Sequence, residues 1–333
     1  MDPLTHALLG TAASQSFVKE HRNTLRAAAV SGFLAALTPD LDVLIRSSTD
    51  PLLTIEYHRQ FTHSLIFIPF GALLASLILW WVMKRYLTFR ELYLAALLGI
   101  ATHGLLDSFT SYGTQLLWPF SDFRVAWNVV SIIDPVVTLG LLSFTTLSFI
   151  RVRKFWARTG LVFFALMMGF GWFQQQRAEQ AVYALAEERN HTPERLVARP
   201  SFGNQLLWRV HYIDDGNIFV DAVRAGITGG IQLYEGESGE LIQPERDFSS
   251  FRGTILYSDL QRFAHFSDGW LAWHPEIPGV LGDARYAMVP SSMSPLWGVE
   301  VDTTRADRHL PFNYYRFNDE EIRNQFLDQL FGR

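Results

Sequence analysis

The 333 residues include no cysteine, which excludes disulfides, thiolate nucleophiles and Cys-type zinc sites together and leaves the redox compartment unmarked. Lysine is nearly missing as well: Lys19, Lys84 and Lys154 all precede residue 175. Residues 1–174 hold 13 basic against 10 acidic side chains and residues 175–333 hold 15 against 23, so the second half lacks the basic footprint of a nucleic-acid binder. DNA and RNA are set aside as partners. No internal repeat or low-complexity tract is present, which excludes solenoids and arrays. The N-terminus has Asp2 where a signal peptide has basic residues and shows no small-residue cleavage site, so it is expected to be retained.

What the chain does have is apolar length, concentrated in its first half. Runs at 63–83, 91–108, 129–150 and 159–174, with weaker ones at 27–45 and 3–18, approach the roughly 30 Å needed to cross a bilayer. About six helices are expected. Basic residues fall in alternate connections: Lys19, Arg22 and Arg26; Lys84, Arg85 and Arg90; Arg151, Arg153, Lys154 and Arg158. Only Arg46, Arg59 and Arg124 lie in the others, so the positive-inside rule makes the first set cytoplasmic. His6, Asp40, Asp42, His58, His63, His103, Asp107 and Asp134 then all fall near the non-cytoplasmic ends of their segments; His6 joins them only if 3–18 spans.

Ionisable groups in membrane segments are costly and default to function. His103 and Asp107, four apart, share one helix face, which suits joint ligation of a metal ion or a plain helix tie. Asp40 and Asp42 follow Pro39 and point different ways on a regular helix, so they serve two ions, or one ligates while the other orients a histidine. His58 is expected in a loop and His63 on the first turn of a helix capped by Thr62. Asp134 before Pro135 reads equally as N-cap or ligand. Four histidines and four acids, without thiolates, suit two divalent ions, with Zn favoured over Mn or Fe and with Asp40 or Asp42 as base.

The ordered motifs "DPLTHALLG", "LTPDLDVL", "HRQFTHSLIF", "HGLLDSFTSYGTQLLWPFS" and "NVVSIIDPV" resemble the YdjM-like family of membrane-bound, predicted metal-dependent hydrolases, over about residues 1–150. The resemblance implies a bacterial or archaeal inner-membrane protein and the same eight candidate ligands. A looser similarity to zinc-dependent phospholipase C implies a phosphodiester or lipid headgroup as substrate.

Beyond residue 174 the pattern changes. "RAEQAVYALAEERN" reads as an amphipathic helix, and "LLWRVHYIDDGNIFVDAVRA" as a hairpin about an Asp-Asp-Gly-Asn turn. Short strands are expected near 229–234, 253–258, 269–274, 284–289 and 297–302, and a polar helix near 318–331. The expectation is a helical membrane domain, 1–174, followed by a soluble β-rich (α+β) domain, 175–333, on the non-cytoplasmic side. The function expected is a membrane-bound hydrolase of an ester or phosphoester bond in a lipid or lipid-linked substrate, by metal-activated hydroxide. The alternative is a metal-ion transporter or metal-binding sensor built on the same cluster; a haem protein with two histidine ligands would leave the aspartates idle.

Overall fold

A computed structural model of the chain describes residues 1–316 and 319–333. It divides into two compact units: residues 1–44, 57–173 and 202–204 form the first, and residues 45–56, 174–201 and 205–333 the second. The boundary after 173 matches the shift in composition. The assignment of 45–56 to the second unit has no counterpart in the sequence pattern.

The first unit contains α1 (Pro3–Phe17), α2 (Arg22–Ala36), a 3-10 turn at Pro39–Leu44, α4 (Phe67–Met83), α5 (Phe89–Phe109), α6 (Pro135–Arg151) and the start of α7 (Lys154–Glu188); α3 (Leu53–Tyr57) runs up to it. Three helical stretches among the described residues are long and apolar enough to cross a membrane: Arg22–Leu44, Phe89–Phe109 and Lys154–Glu188. A fourth arises if Leu53–His63 and Phe67–Met83, bent by 85°, count as one broken span. The six expected crossings are therefore not all present as long helices. The helices α1 and α6, of 15 and 17 residues, rise only about 22–26 Å. The run at 129–150 is shortened because Asp134 caps α6 and Pro135 occupies its first turn. On α4, Ile78 and Trp81 are about three-quarters exposed, an apolar face suited to lipid.

Three glycines set the spacing of the bundle. A Cβ on Gly10 of α1 would lie 2.6 Å from Ala36 Cβ and 2.8 Å from Gly32 O of α2, and one on Gly99 of α5 would lie 2.6 Å from Gly32 O. The backbones of α1, α2 and α5 thus touch where only small residues fit. At one end of the bundle, Arg26 donates to Phe149 O, Arg158 to Ser16 O, and Lys154 N to Glu20. At the other end lie His6, the Pro39–Leu44 turn and the last turn of α5.

In the second unit, α7 ends at Glu188 and is followed by β1 (Arg195–Pro200), β2 (Leu207–Asp214), β3 (Asn217–Ala225) and β4 (Ile231–Glu240), an antiparallel sheet in that order. The expected hairpin is there, with Asp214 paired to Asn217 and both Asp215 and Gly216 at positive φ. Ala178, Val182 and Ala186 of α7 pack on Trp208, Val210 and Val223. After α8 (Pro244–Asp247) come α9 (Ile255–Phe266), then β5 (Leu271–Trp273), β6 (Val280–Asp283), β7 (Trp297–Glu300) and β8 (Phe312–Tyr314) as a second antiparallel sheet, and α10 (Glu320–Phe331).

Several expectations are corrected here. The segment expected as a strand at 253–258 opens α9, because Thr254 caps the helix and Leu256, Leu260 and Phe263 recur at helical spacing on its buried face. The strand expected at 284–289 lies earlier, at 280–283, and β1 and β8 were not expected at all. Residue 318, the first of the expected terminal helix, lies outside the described residues.

Candidate metal centre

His103 and Asp107 emerge from the last turns of α5, both fully buried. The imidazole Nδ1 of His103 donates to the carbonyl of Ala36, 2.6 Å away at the end of α2, where backbone carbonyls lack intrahelical partners. A carbonyl only accepts, so Nδ1 holds the ring proton and Nε2 of the neutral ring is a bare lone pair. His63 is not on a helix. It sits in a 3-10 turn, Phe61–His63, and α4 begins at Phe67 with no side-chain cap. This corrects the expected Thr62 cap: the Thr62 hydroxyl instead donates to Asp42 Oδ2 at 2.8 Å. The same carboxylate oxygen is 3.2 Å from His63 Nδ1, which fixes the proton there and turns His63 Nε2 inward.

The two Nε2 atoms face each other at 3.0 Å. Asp40 Oδ1 lies 3.5 Å from His63 Nε2 and 3.3 Å from His103 Nε2, and Asp107 Oδ2 lies 3.3 Å and 3.6 Å from the same atoms. A tetrahedron with metal–ligand bonds of about 2.0–2.1 Å has edges of roughly 3.3–3.4 Å. The five distances straddle that value. Asp107 Oδ2 is enclosed without a hydrogen-bond partner, and the two opposed imidazole nitrogens need either a shared proton or a metal cation between them. The donor set therefore fits a divalent ion. The same spacing leaves no room for a macrocycle between the rings.

A second group, Asp40, Asp42 and His58, shares Asp40 with the first. His58 Nδ1 is 2.8 Å from Asp42 Oδ1. Of the two adjacent acids, Asp42 is buried with both oxygens engaged, and Asp40 keeps a quarter of its side chain exposed. His6 stands beside this cluster rather than within it: its ring stacks on His103 at 3.6 Å and Nε2 is 3.1 Å from Asp107 Oδ1. Asp134 accepts from Val136 N and Val137 N as the cap of α6 and belongs to neither group. Once those two amides claim Oδ1, capping accounts for its place.

The residue that the sequence pattern missed is Arg59, counted there only as a loop base. It is buried, at φ +63°, and its Nη2 is 3.0 Å from Asp107 Oδ1. The Met1 amino group also meets that oxygen. The available signal was an arginine between two candidate ligands in "HRQFTH".

A third group of ligand-type atoms, Asp50, Asp259 and His309, lies in the second unit. There the Arg262 guanidinium already bonds Asp50, Glu56 and Asp259 at 2.6–3.1 Å. Burial alone would raise the Asp50 carboxyl, but Arg262 outweighs it and holds the pKa below the usual value. This is an ion-pair network around a fixed cation, unfavourable to a second one.

Comparison with known proteins gives a family model, described as YdjM inner membrane protein, matching residues 1–178. The uncharacterized protein YfhP of Bacillus subtilis (strain 168) is 28% identical over 148 residues, 43% of this chain and 45% of its own length. The inner membrane protein YbcI of Escherichia coli (strain K12) is 33% identical over 110 residues, 31% of this chain and 60% of its own length. The chain thus spans roughly half the length of these relatives. No solved structure matches.

Proposed function

The chain belongs to the YdjM inner membrane protein family, and from that footing we propose that it is a multi-pass, metal-dependent hydrolase of an ester or phosphoester bond in a lipid or lipid-linked substrate at the outer leaflet. The observation that carries this reading is the pair of opposed imidazole nitrogens, 3.0 Å apart within a four-residue donor set of tetrahedral dimensions. Asp40 belongs to both ligand groups, which suits a carboxylate shared between two divalent ions, Zn before Mn or Fe. Such ions, when bound, supply Lewis acidity and lower the pKa of a water toward neutrality.

The chain's own residues have distinct parts in this scheme. His63, His103, Asp40 and Asp107 would hold the first ion, and His58 with Asp40 and Asp42 the second. Asp42 orients both His58 and His63 through its two oxygens. Asp40 is the acid in the cluster that solvent reaches, which suits it to accept the proton of the attacking water. The shared end of the basic connections, with Arg26 on Phe149 O and Arg158 on Ser16 O, supports a cytoplasmic side opposite the cluster and a non-cytoplasmic C-terminal domain.

The test is the metal content of detergent-purified protein, wild type against His103→Ala and Asp107→Ala, followed by hydrolysis of phospholipid and generic phosphodiester substrates. Both variants are expected to lose metal and activity together. A full metal complement in both would overturn the ligand assignment, and metal uptake into proteoliposomes without hydrolysis would favour a transporter.

A further inference from the structure

The position of Arg59 is more constrained than its work as a counter-ion requires. Its backbone sits at φ +63°, a conformation costly for a side chain with a Cβ, and it is locked on both sides. Its N donates to Asp42 Oδ2 at 3.1 Å and its carbonyl accepts from Gln115 N at 3.0 Å. The guanidinium is aimed just as tightly: Nη1 donates to Thr110 Oγ1 at 2.8 Å, Nη2 meets Asp107 Oδ1 at 3.0 Å, and Cζ lies 4.9 Å from the centre of the Tyr112 ring. One donor is left over. Nε is enclosed, with no hydrogen-bond partner, on a side chain only 5% exposed.

A buried charged N–H without an acceptor is rare, and beside a cluster of ligand atoms it calls for a ligand oxygen. The net charge gives that oxygen its chemistry. Asp40, Asp42 and Asp107 contribute three negative charges and Arg59 one positive, so two divalent ions would leave the site positive and matched to an anion. Guanidinium groups bind phosphate more firmly than neutral oxygen because the bond is charge-assisted and the fork is planar. Resting on the hydrolase reading above, we propose that Arg59 is the phosphate-recognition residue of the site: Nη2 fixes Asp107 and Nε donates to a phosphoryl oxygen of the substrate. The substrate is thereby a phosphoester, not a carboxylic ester.

Isothermal titration of the detergent-purified full chain with inorganic phosphate, zinc-loaded and chelator-treated, tests this in wild type, Arg59→Lys and Arg59→Met. A parallel arm uses dihexanoyl phosphatidic acid to distinguish a lipid headgroup from free phosphate. The Lys variant is expected to keep the zinc complement while affinity for the phosphate probe falls about tenfold or more, because ammonium retains the charge and loses the fork. The Met variant is expected to lose phosphate binding in the zinc-loaded form, while the chelated form, whose site is left net negative, is expected to bind the probe weakly in every variant. Arg59-dependent binding in either arm supports the proposal. Unchanged phosphate affinity in Arg59→Lys overturns it, as does a fall that only tracks lost zinc, which would leave Arg59 a holder of Asp107. Failure of wild type to take up zinc would instead count against the metal-centre reading, whereas zinc uptake with Arg59-independent phosphate affinity would count against this proposal alone.

Discussion

Asp42 never faces the opposed Nε2 pair, yet four residues from His58 to His63 depend on it. Its Oδ1 is 2.8 Å from His58 Nδ1, and its Oδ2 takes Arg59 N and Thr62 Oγ1 and lies 3.2 Å from His63 Nδ1. Replacing it with Asn keeps the shape but removes the charge that holds the histidine protons in place. Asp42→Asn is expected to reduce affinity for the ion between His63 and His103 about 10–100-fold while the protein stays folded, because toward that ion Asp42 is an outer carboxylate. Competition with a chromogenic chelator measures it, and unchanged affinity would show that His63 is oriented without this acid. The same residue marks a limit of what the sequence discloses. That ionisable side chains in apolar runs converge was legible, because their desolvation cost demands a reason. Which of two neighbouring aspartates faces inward was not, since it depends on the 3-10 turn at Pro39–Leu44. Arg59 escaped notice because a basic residue between spans has an ordinary explanation in membrane topology.

At the level of elements, the last turn of α5 and the turn at Phe61–His63 meet at Gly104. A Cβ there would lie 2.5 Å from His63 O, a backbone atom that cannot swing aside. Gly104→Ala is therefore expected to push His63 away from His103, lowering stability by about 1–3 kcal/mol. Thermal unfolding and zinc content in detergent should fall together. Gly169 of α7 has nothing within 4 Å of its would-be Cβ, so Gly169→Ala is the counterpart and should stabilise by about 0.5–1 kcal/mol through helix propensity. Elements were readable in proportion to their periodicity. The hairpin of β2 and β3 announced itself by alternation around Asp215 and Gly216. The helix α9 did not, because "TILY" has a strand's composition and only the Thr254 cap with the spacing of Leu256, Leu260 and Phe263 decides for helix.

Across the whole molecule the second unit has its own pH dependence. His211 of β2 is fully buried, and burial, joined by the charges of Arg199, Arg209, Arg195 and Arg285 around it, holds its pKa well below the ordinary imidazole value. Its ring packs edge-on against Trp270 at 4.3 Å. A histidine kept neutral in the fold takes up its proton only on unfolding. Stability is thus complete above the unfolded pKa of about 6.5 and declines as pH falls below it, by up to about 1.4 kcal/mol per pH unit. His211→Gln, which keeps an acceptor for Arg199, is expected to flatten that decline in thermal unfolding between pH 7 and 5; an unaltered slope would assign it to other groups.

Residues 45–56 belong to the second unit, while the chain on both sides of them belongs to the first. The frontier between the two is therefore not one peptide bond. Cutting after residue 174 would strip Asp50 and Glu56 of Arg262 and leave a slack loop between Asp42 and His58. A gene fusion with a single junction can attach or remove a domain that hangs from the end of a chain. Here such a junction would carry off only part of the second unit and leave residues 45–56 behind.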